Sequence, residues 1–179
     1  NIRCLDGVSF KDLWAERFSR PILIGNDATV AALGEYRSGA GAGSHTLVYM
    51  TVSTGIGGGI VVDGRPLMGA YGMAGELGHM CVDLNGPPCQ CGGSGCLERV
   101  ASGTAIAETA RRRVEGMDSS VMGDLVSGEL SRITAETVFQ AASKGDRAAL
   151  EILDQVVRAL GCGLVNVLHI FNPDVIVLG

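Results

Sequence analysis

The chain has 179 residues, 46% of them apolar and 18% charged, which suits one domain or parts of two and excludes a disordered chain. Its net charge of −5, with no basic run longer than Arg111–Arg113, excludes the basic surface that nucleic-acid binding requires. The longest apolar run, around residues 160–171, is too short to span a bilayer, so no membrane partner is expected. No signal peptide is recognised, although Asn1 is not a natural start.

The first third of the chain predicts two helices with a strand between them. The segment through FKDLWAERF is expected to form a short amphipathic helix with Leu13, Trp14 and Phe18 facing inward. PILIG, residues 21–25, is an apolar run that ends at glycine and predicts a buried strand. NDATVAALGEYRSG then begins with two helix-capping residues and carries apolar residues at helical spacing, namely Val30, Ala31 and Leu33.

The remainder predicts a hairpin, a cysteine-rich loop, three helices and a last strand. HTLVYMTV (45–52) and GGIVVDG (58–64) are β-rich runs separated by glycines and predict two adjacent strands. SGTAIAETARRRVEG and ITAETVFQAASKG predict helices, and DVIVLG (174–179) predicts a strand. The longest helix is expected over residues 146–171, with an apolar stripe formed by Ala149, Leu153, Val156, Leu160, Leu164, Val167 and Phe171. Because strands alternate with helices, the predicted fold class is α/β.

Three cysteines and a histidine predict a structural zinc site in the loop of residues 75–98. Cys89, Cys91 and Cys96, with His79 ten residues before the first, supply a complete tetrahedral shell that is closed to solvent. The alternatives are disulfides or buried free thiols, but a bridge between Cys89 and Cys91 would close a strained ring. The spacing therefore indicates a reducing cytoplasm.

The other cysteines and histidines carry no predicted function. Cys4, Cys81 and Cys162 lie in apolar surroundings and are interpreted as small core residues. His45 and His169 are interpreted as incidental, with His169 packing late in the long helix.

Polar residues of possible function lie at two further places, each with a structural alternative. Asn26 and Asp27 follow the predicted strand 21–25, where ligands bind in α/β sheets, although one of them is expected to cap the helix. Glu76 and Glu98 flank the predicted zinc site, although each alone is more often a solvated surface charge.

The glycine-rich run STGIGGGI (53–60) joins the two central strands. Its backbone amides could contact a phosphate, or the run could form a tight hairpin turn. It has neither the lysine of a P-loop nor the helix-opening glycines of a dinucleotide fold. From the residues alone, both interpretations stay open.

Together these motifs resemble the ROK family of sugar kinases and sugar-responsive repressors. NDATVAALGE resembles the segment that carries the family's catalytic aspartate, and VSTGIGGGIVVDG resembles its second phosphate motif. GELGH followed by CxCGxxGCLE resembles the family's zinc and sugar signature, and FNPDVIVLG resembles the strand before its adenosine-binding glycines. The resemblance implies an actin-like, ribonuclease H-like ATPase fold of two lobes with nucleotide between them.

The resemblance also implies the roles of the site residues. Asp27 matches the catalytic base, and the sugar-hydroxyl ligands match Asn26, Asp27, Glu76, His79 and Glu98. The zinc ligands match His79, Cys89, Cys91 and Cys96. The nucleotide phosphates are expected to contact Ser53, Thr54, Gly55, Ile56, Gly57, Gly58, Gly59 and Ile60, with Ser53 standing where many family kinases have glycine. Glu76 and Glu98 are expected to act on the sugar and not on ATP, because both flank the zinc site and not the glycine run.

Two departures from the family pattern predict that the chain is a fragment. The family's first phosphate loop, Asp-x-Gly-Gly-Thr, is absent, and so are the glycines expected beyond Gly179. Residues 1–25 are accordingly expected to end an N-terminal lobe, and residues 26–179 to form most of a C-terminal lobe with an inserted zinc loop. The chain alone is expected to be inactive.

The functional hypothesis is an ATP-dependent hexose kinase that uses ATP with Mg²⁺ and acts on glucose or a related hexose such as N-acetylmannosamine. The alternative is a sugar-sensing repressor of the same family whose DNA-binding segment precedes this chain. The pair Asn26 and Asp27 favours the kinase, because a sensor does not need a base. A purely structural zinc module would leave that pair unexplained. The resemblance further implies a homo-oligomer, a dimer or tetramer.

Overall fold

The computed structural model describes residues 7–117 and 119–179. Its helices are α1 (Phe10–Phe18), α2 (Asp27–Ser38), α3 (Leu97–Ala101), α4 (Gly103–Val114), α5 (Val121–Leu125), α6 (Ala135–Ser143) and α7 (Arg147–Phe171). Its strands are β1 (Thr46–Val52), β2 (Ile56–Val62), β3 (Arg65–Pro66) and β4 (Val175–Leu178). Two short 3-10 turns, Leu77–His79 and Leu130–Arg132, complete the described elements.

The four strands form one mixed sheet in the order β3-β2-β1-β4. β1 and β2 pair antiparallel through the tight turn after Val52, with Val52 opposite Ile56, so the predicted hairpin is confirmed. β4 pairs parallel with β1, with Leu47 opposite Val175, after the chain has crossed over through α7. The sheet and its helices confirm the predicted α/β class.

The two faces of the sheet bury different helices, as the alternation of side chains along a strand requires. Val48, Met50 and Ile60 are buried on the face that α3 contacts, in a core that also contains buried residues of α4, α6 and α7. Leu47 and Val61 are buried on the opposite face, where they pack with Ala32 of α2. The first residues of α2 therefore lie directly over β2, a placement that matters for the site described below.

The long helix α7 confirms the prediction for residues 146–171. Asp146 caps its first turn by accepting the amide of Ala149 at 2.8 Å, and Asn172 ends it in a left-handed conformation with φ 42°. The predicted apolar stripe is buried or half-buried throughout and packs in the main core. α7 thus spans 25 residues as the central support of this core.

The sequence predicts buried residues within the first 25 positions, and this prediction is wrong. α1 forms as expected, but none of its residues is buried, and Leu13, Trp14 and Phe18 are all exposed. Residues 21–25 form no strand, and Leu23 is 96% exposed. A strand requires a hydrogen-bonding neighbour, and the described sheet offers this run none, so its apolar character alone does not order it.

Several smaller interpretations are also corrected by the structure. Cys81, Cys162 and His169 are exposed, because each lies on the side of its segment that faces away from the core. Val30 on α2 is exposed as well, since Ala28, Thr29 and Ala32 form the face that packs on the sheet. Cys4 lies outside the described residues. Within residues 7–117 and 119–179, no helix combines the length and apolar character that crossing a bilayer requires.

Candidate functional site

Asn26 and Asp27 stand together at the start of α2, and the structure gives them different hydrogen bonds. Asn26 caps the helix, because its Oδ1 accepts the amide of Thr29 at 3.0 Å. The Oδ1 atom of Asp27 accepts the amide of Ala28 at 2.8 Å. Within the described residues, the second carboxylate oxygen of Asp27 has no protein donor, and the residue is exposed. The carboxylate is therefore available to a ligand.

Glycines in β2 let the start of α2 approach the sheet. A Cβ atom on Gly59 would stand 2.5 Å from the carbonyl oxygen of Ala28 and 2.7 Å from the Cβ atom of Ala32. A Cβ atom on Gly57 would stand 3.3 Å from that of Ala28. Only hydrogen fits at position 59, so the glycine sets how closely the segment that begins at Asn26 lies to β2.

On the opposite face of β2, the segment Gly75–Gly78 packs equally closely. A Cβ atom on Gly58 would stand 2.5 Å from the carbonyl oxygen of Gly75. Gly75 itself has φ +90°, a conformation that L side chains rarely adopt. The turn places Glu76 in solvent just before the 3-10 turn that ends at His79.

His79, Cys89, Cys91 and Cys96 come together as predicted. One ligand atom from each lies within 4.8 Å of all the others. The Nδ1 atom of His79 is 3.5 Å from the Sγ atom of Cys89, and the Sγ atoms of Cys91 and Cys96 are also 3.5 Å apart. Zinc in a tetrahedral shell of three sulfurs and one nitrogen separates its ligand atoms by about 3.5–3.8 Å. The donor set and the two distances of 3.5 Å therefore fit a zinc ion.

Backbone turns hold the cluster together. The amide of Cys89 donates to the carbonyl of Gly93 at 2.8 Å, and Gly92 turns the chain with φ +93°.

Cys96 is buried, and this burial raises the pKa of its thiol to about 12. Cys91 is exposed, and several hydrogen bonds lower the pKa of its thiol. The hydrogen bond from the amide of Gly93 makes the largest contribution. A metal would have to displace the proton of Cys96 in order to bind.

A cavity of about 520 Å³ opens beside the cluster and brings together Glu76, His79 and Glu98. Asn26 and Asp27 do not line it. Three further residues line the cavity without having been predicted, namely Met73, Gln90 and Arg99. Gln90 lies between two of the clustered cysteines and Arg99 follows Glu98, so the motif itself contains the signal for these two.

Glu98 contacts the glycine run as well as this cavity. Its Oε2 atom accepts the amide of Ile56 at 2.9 Å. Glu98 lies beside the cysteine cluster as expected, but the expectation that it does not flank the glycine run is wrong. The reason is the short helix α3, which begins directly after Cys96 and directs Glu98 back towards the sheet.

The glycine run is divided between a turn and a strand. Ser53 and Thr54 are exposed, and the turn that they begin ends at Gly55. Residues 58–60 are instead buried inside β2, where packing against both faces explains the glycines. A contact with phosphate therefore stays a prediction, and the exposed residues Ser53 and Thr54 are the accessible candidates for it.

A second cavity, of about 860 Å³, adjoins the turn at Ser53 and Thr54. Its other walls come from the starts of α4 and α6 and from the middle of α7. Phe139 lines the cavity and is 56% exposed as a residue. Arg111 also lines it, and its buried Nε atom has no hydrogen-bond partner within the described part of the chain. An aromatic ring and a cation that line one cavity with an exposed turn are groups that can bind the base and the phosphates of a nucleotide.

Known proteins of two kinds are similar to this chain in sequence. The chain is 43% identical over 172 residues to a glucokinase of Thermotoga maritima, which covers 96% of this chain and 54% of that protein. It is 33% identical to a xylose repressor of Caldicellulosiruptor bescii, over 96% of this chain and 43% of that protein. The chain thus spans about half the length of the curated relatives it matches.

A solved structure has the same fold. The crystal structure of a ROK family glucokinase from Streptomyces griseus, in complex with glucose and AMPPNP, superposes with a TM-score of 0.79 at 35% identity, over 94% of this chain and 55% of that one. The family model described as "ROK family" matches residues 1–179. The chain belongs to the ROK family.

Proposed function

We propose that this chain carries the sugar site and part of the nucleotide site of an ATP-dependent hexose kinase. One observation carries the proposal: Asn26 caps α2, so the neighbouring carboxylate of Asp27 is not needed for capping and has an oxygen available for a substrate. The glucokinase relatives and the glucokinase structure with glucose and AMPPNP support it. A hexose such as glucose or N-acetylmannosamine would be the acceptor.

In the proposed reaction, Asp27 is the general base. A hydroxyl oxygen of the sugar attacks the γ-phosphorus of ATP and forms a new P–O bond, while the bond from that phosphorus to the β-phosphate oxygen breaks and ADP leaves. The hydroxyl proton passes to the Asp27 carboxylate. A carboxylate suits this step, because it accepts the proton late, from a hydroxyl that is already within hydrogen-bond reach.

The sugar would bind to Glu76, His79 and Glu98, which line the 520 Å³ cavity. Asn26 would contact the sugar near its reacting hydroxyl. Fixed carboxylates accept hydrogen bonds from sugar hydroxyls, and an analogue that lacks a hydroxyl leaves one of these partners unpaired. His79 directs Nδ1 towards the cysteines, so its Nε2–H is the atom left to donate to a hydroxyl.

The nucleotide would occupy the 860 Å³ cavity, with its phosphates at the turn that begins with Ser53 and Thr54. Mg²⁺ bound to the phosphate oxygens of ATP would neutralise their charge. The backbone amides of the turn would contact the same oxygens. Phe139 offers a ring for the base to stack on.

Zinc would be held by His79, Cys89, Cys91 and Cys96, whose atoms fit its coordination shell. Its contribution is structural, since all four positions of the tetrahedron are filled by protein. The four ligands then fix the imidazole of His79 and the loop between Glu76 and Glu98. The free thiols among the described cysteines agree with a cytoplasmic location.

Two parts of the proposal concern the larger protein. Residues 26–179 would form most of a C-terminal lobe, and residues 1–25 the end of an N-terminal lobe. The absence of buried residues in α1 supports this boundary. The homo-oligomer stays a prediction from the family resemblance.

The proposal is tested by hexose-dependent release of ADP from ATP by the full-length protein. Glucose and N-acetylmannosamine are the first acceptors to compare. We expect turnover with at least one of them and none without sugar. A folded full-length protein that turns over no hexose would overturn the kinase assignment.

The second candidate is a sugar-sensing repressor, which the 33% identity to a xylose repressor favours. A repressor could use the same sugar cavity and zinc cluster without Asp27 acting as a base. The sequence upstream of this chain discriminates the two. A phosphate loop near the start supports the kinase, and a basic helix-turn-helix supports the repressor.

A further inference from the structure

Helix α3 and the start of α4 are both hydrogen-bonded to the turn of the glycine run or to the residue that follows it. In the first turn of α3, Glu98 accepts the amide of Ile56 through Oε2 at 2.9 Å, across 42 positions of sequence. At the start of α4, the amide of Gly103 donates to the carbonyl of Ser53 at 2.8 Å, and the hydroxyl of Thr104 donates to the carbonyl of Thr54 at 2.8 Å. The turn, α3 and the start of α4 are therefore one hydrogen-bonded unit.

Glu98 has an oxygen for each of two partners. Its Oε2 atom is taken by the amide of Ile56, while its Oε1 atom has no hydrogen-bond donor within the described residues. The side chain is half-buried and lines the cavity that also holds Glu76 and His79. A carboxylate has about four lone-pair sites, so it accepts an amide and a sugar hydroxyl together.

Gly55 makes the contact between the turn and Glu98 a tight one. A Cβ atom on Gly55 would stand 2.6 Å from the Oε2 atom of Glu98, closer than real Cβ atoms approach an oxygen. The φ angle of Gly55 is not in the left-handed region, so alanine could adopt its backbone conformation. Steric contact with the carboxylate, and not backbone strain, is therefore what an added methyl group would change.

We propose that Glu98 is a positioning residue that couples the two substrates. One of its oxygens holds the sugar, and the other holds the turn that begins with Ser53 in the conformation that binds phosphate. The inference rests on the proposed kinase function and adds to it a link between the two sites. Because linkage is reciprocal, sugar bound at Glu98 strengthens nucleotide binding by the same factor that nucleotide strengthens sugar binding.

Glu76 supplies the matched comparison. It lines the same cavity as Glu98 and is exposed, but within the described residues its side chain makes no hydrogen bond to the glycine run. Both carboxylates are proposed to bind sugar. Only Glu98 is proposed to act on the nucleotide as well, so the two residues separate a local effect from a coupled one.

The first experiment measures binding of glucose and of AMPPNP to the full-length protein by calorimetry, each ligand with and without the other. Glu98→Ala should weaken AMPPNP binding about tenfold, because the Ile56 amide loses a charged acceptor. Glu98→Gln retains a carbonyl oxygen for that amide and should restore most of the AMPPNP affinity. Glu76→Ala should weaken glucose binding and leave AMPPNP binding within about twofold of the parent.

The second experiment perturbs the contact from the other side. Gly55→Ala should displace the carboxylate of Glu98 and weaken glucose binding about tenfold, although Gly55 does not line the sugar cavity. In the Glu98→Ala background the same methyl group meets no carboxylate, so it should add no further loss. A residue with an independent structural role would instead give additive losses.

The outcomes separate the inference from the function on which it rests. A folded parent that binds neither glucose nor AMPPNP overturns the proposed function. A parent that binds both, with equal AMPPNP affinities in Glu98→Ala and Glu76→Ala, overturns the coupling. If Glu98→Ala does not fold, Gly55→Ala decides alone, and unchanged glucose binding in that variant overturns the coupling.

Discussion

Asn26 caps α2 while Asp27, its direct neighbour, does not: the amide of Thr29 donates to Asn26 at 3.0 Å, and among residues 7–117 and 119–179 the adjacent amide of Ala28 is the one donor to Asp27. Capping and proton acceptance are thus assigned to separate side chains. We predict that Asp27→Asn lowers kcat by about 10²–10⁴-fold, because the proton acceptor is lost. The melting temperature should stay near that of the parent, since the amide oxygen can still accept from Ala28.

The control for this prediction is Asn26→Ala. It removes the cap and should lower the free energy of unfolding by about 1 kcal/mol. An ADP-release assay and a thermal melt, run in parallel on both variants, separate the two roles. A folded Asp27→Asn protein with the kcat of the parent would remove the base assignment.

The cysteine cluster predicts one zinc ion per chain. Elemental analysis of the purified protein should find it in the parent, and Cys91→Ser should lose most of it because one thiolate ligand is missing. Cys162→Ser, which changes an exposed thiol on α7 away from the cluster, should keep the ion. Loss of zinc should also weaken glucose binding, because the loop that carries Glu76 and Glu98 loses its support.

A parent protein that contains no zinc after reducing purification would contradict this prediction. A disulfide found by mass spectrometry between any two of Cys89, Cys91 and Cys96 would contradict it as well. Equal zinc contents in the Cys91 and Cys162 variants would show that the ion binds elsewhere.

Gly59→Ala should be destabilising, because its Cβ atom would stand 2.5 Å from the carbonyl oxygen of Ala28. We expect a loss of about 1–3 kcal/mol in the free energy of unfolding. We also expect a lower kcat, since α2 would move away from β2 together with Asp27. Gly34→Ala is the matched control, because it lies on α2 with nothing within 4 Å of the added atom and should stabilise the helix by about 1 kcal/mol. Equal stabilities of the two variants in denaturant titrations would refute the packing argument.

Asp174 predicts a pH dependence at the far end of the sheet. The amides of Thr46 and His45 donate to its carboxylate at 2.7 and 2.8 Å and hold its pKa below the ordinary value. The stabilisation is therefore present above the ordinary pKa and is lost as the pH falls through the lower folded-state value. Asp174→Asn should melt at a lower temperature than the parent at neutral pH, and the difference should shrink in acid.

Asp154→Asn is the comparison for this prediction. Asp154 pairs with Arg158 on the exposed side of α7, and exposed ion pairs contribute little to stability. Thermal melts of both variants across the acid range give the measurement. A difference for Asp174→Asn that is independent of pH would contradict the role of its charge.

Local patterns in the sequence were sufficient for the metal cluster and for the long helix. Cys89, Cys91 and Cys96 are close in sequence, so their spacing alone brings the sulfurs together. The apolar stripe of α7 repeats every three or four residues, so its period determines the buried face. The hairpin of β1 and β2 was predictable for the same reason, because the turn joins neighbouring segments.

Contacts that are distant in sequence were not predictable in this way. The hydrogen bond from Ile56 to Glu98 spans 42 positions and depends on the direction in which α3 leaves Cys96. The burial of Trp14 and Leu23 was predicted from their apolar character, which does not say whether a neighbouring surface is present to cover them. The sequence leaves the glycines of β2 open between phosphate contact and a tight turn, and it does not indicate the packing on two faces at positions 58 and 59.

The bare backbone of β2 separates the segment that begins at Asn26 from the segment Gly75–Gly78. At this point a single polypeptide strand without side chains is the whole thickness between them. These glycines of β2 have no side-chain rotamers. Motion of side chains at this point therefore cannot change the distance between α2, which begins with Asp27, and the turn before Glu76. The distance is set by the covalent geometry of the strand and by van der Waals contact of each segment with its backbone.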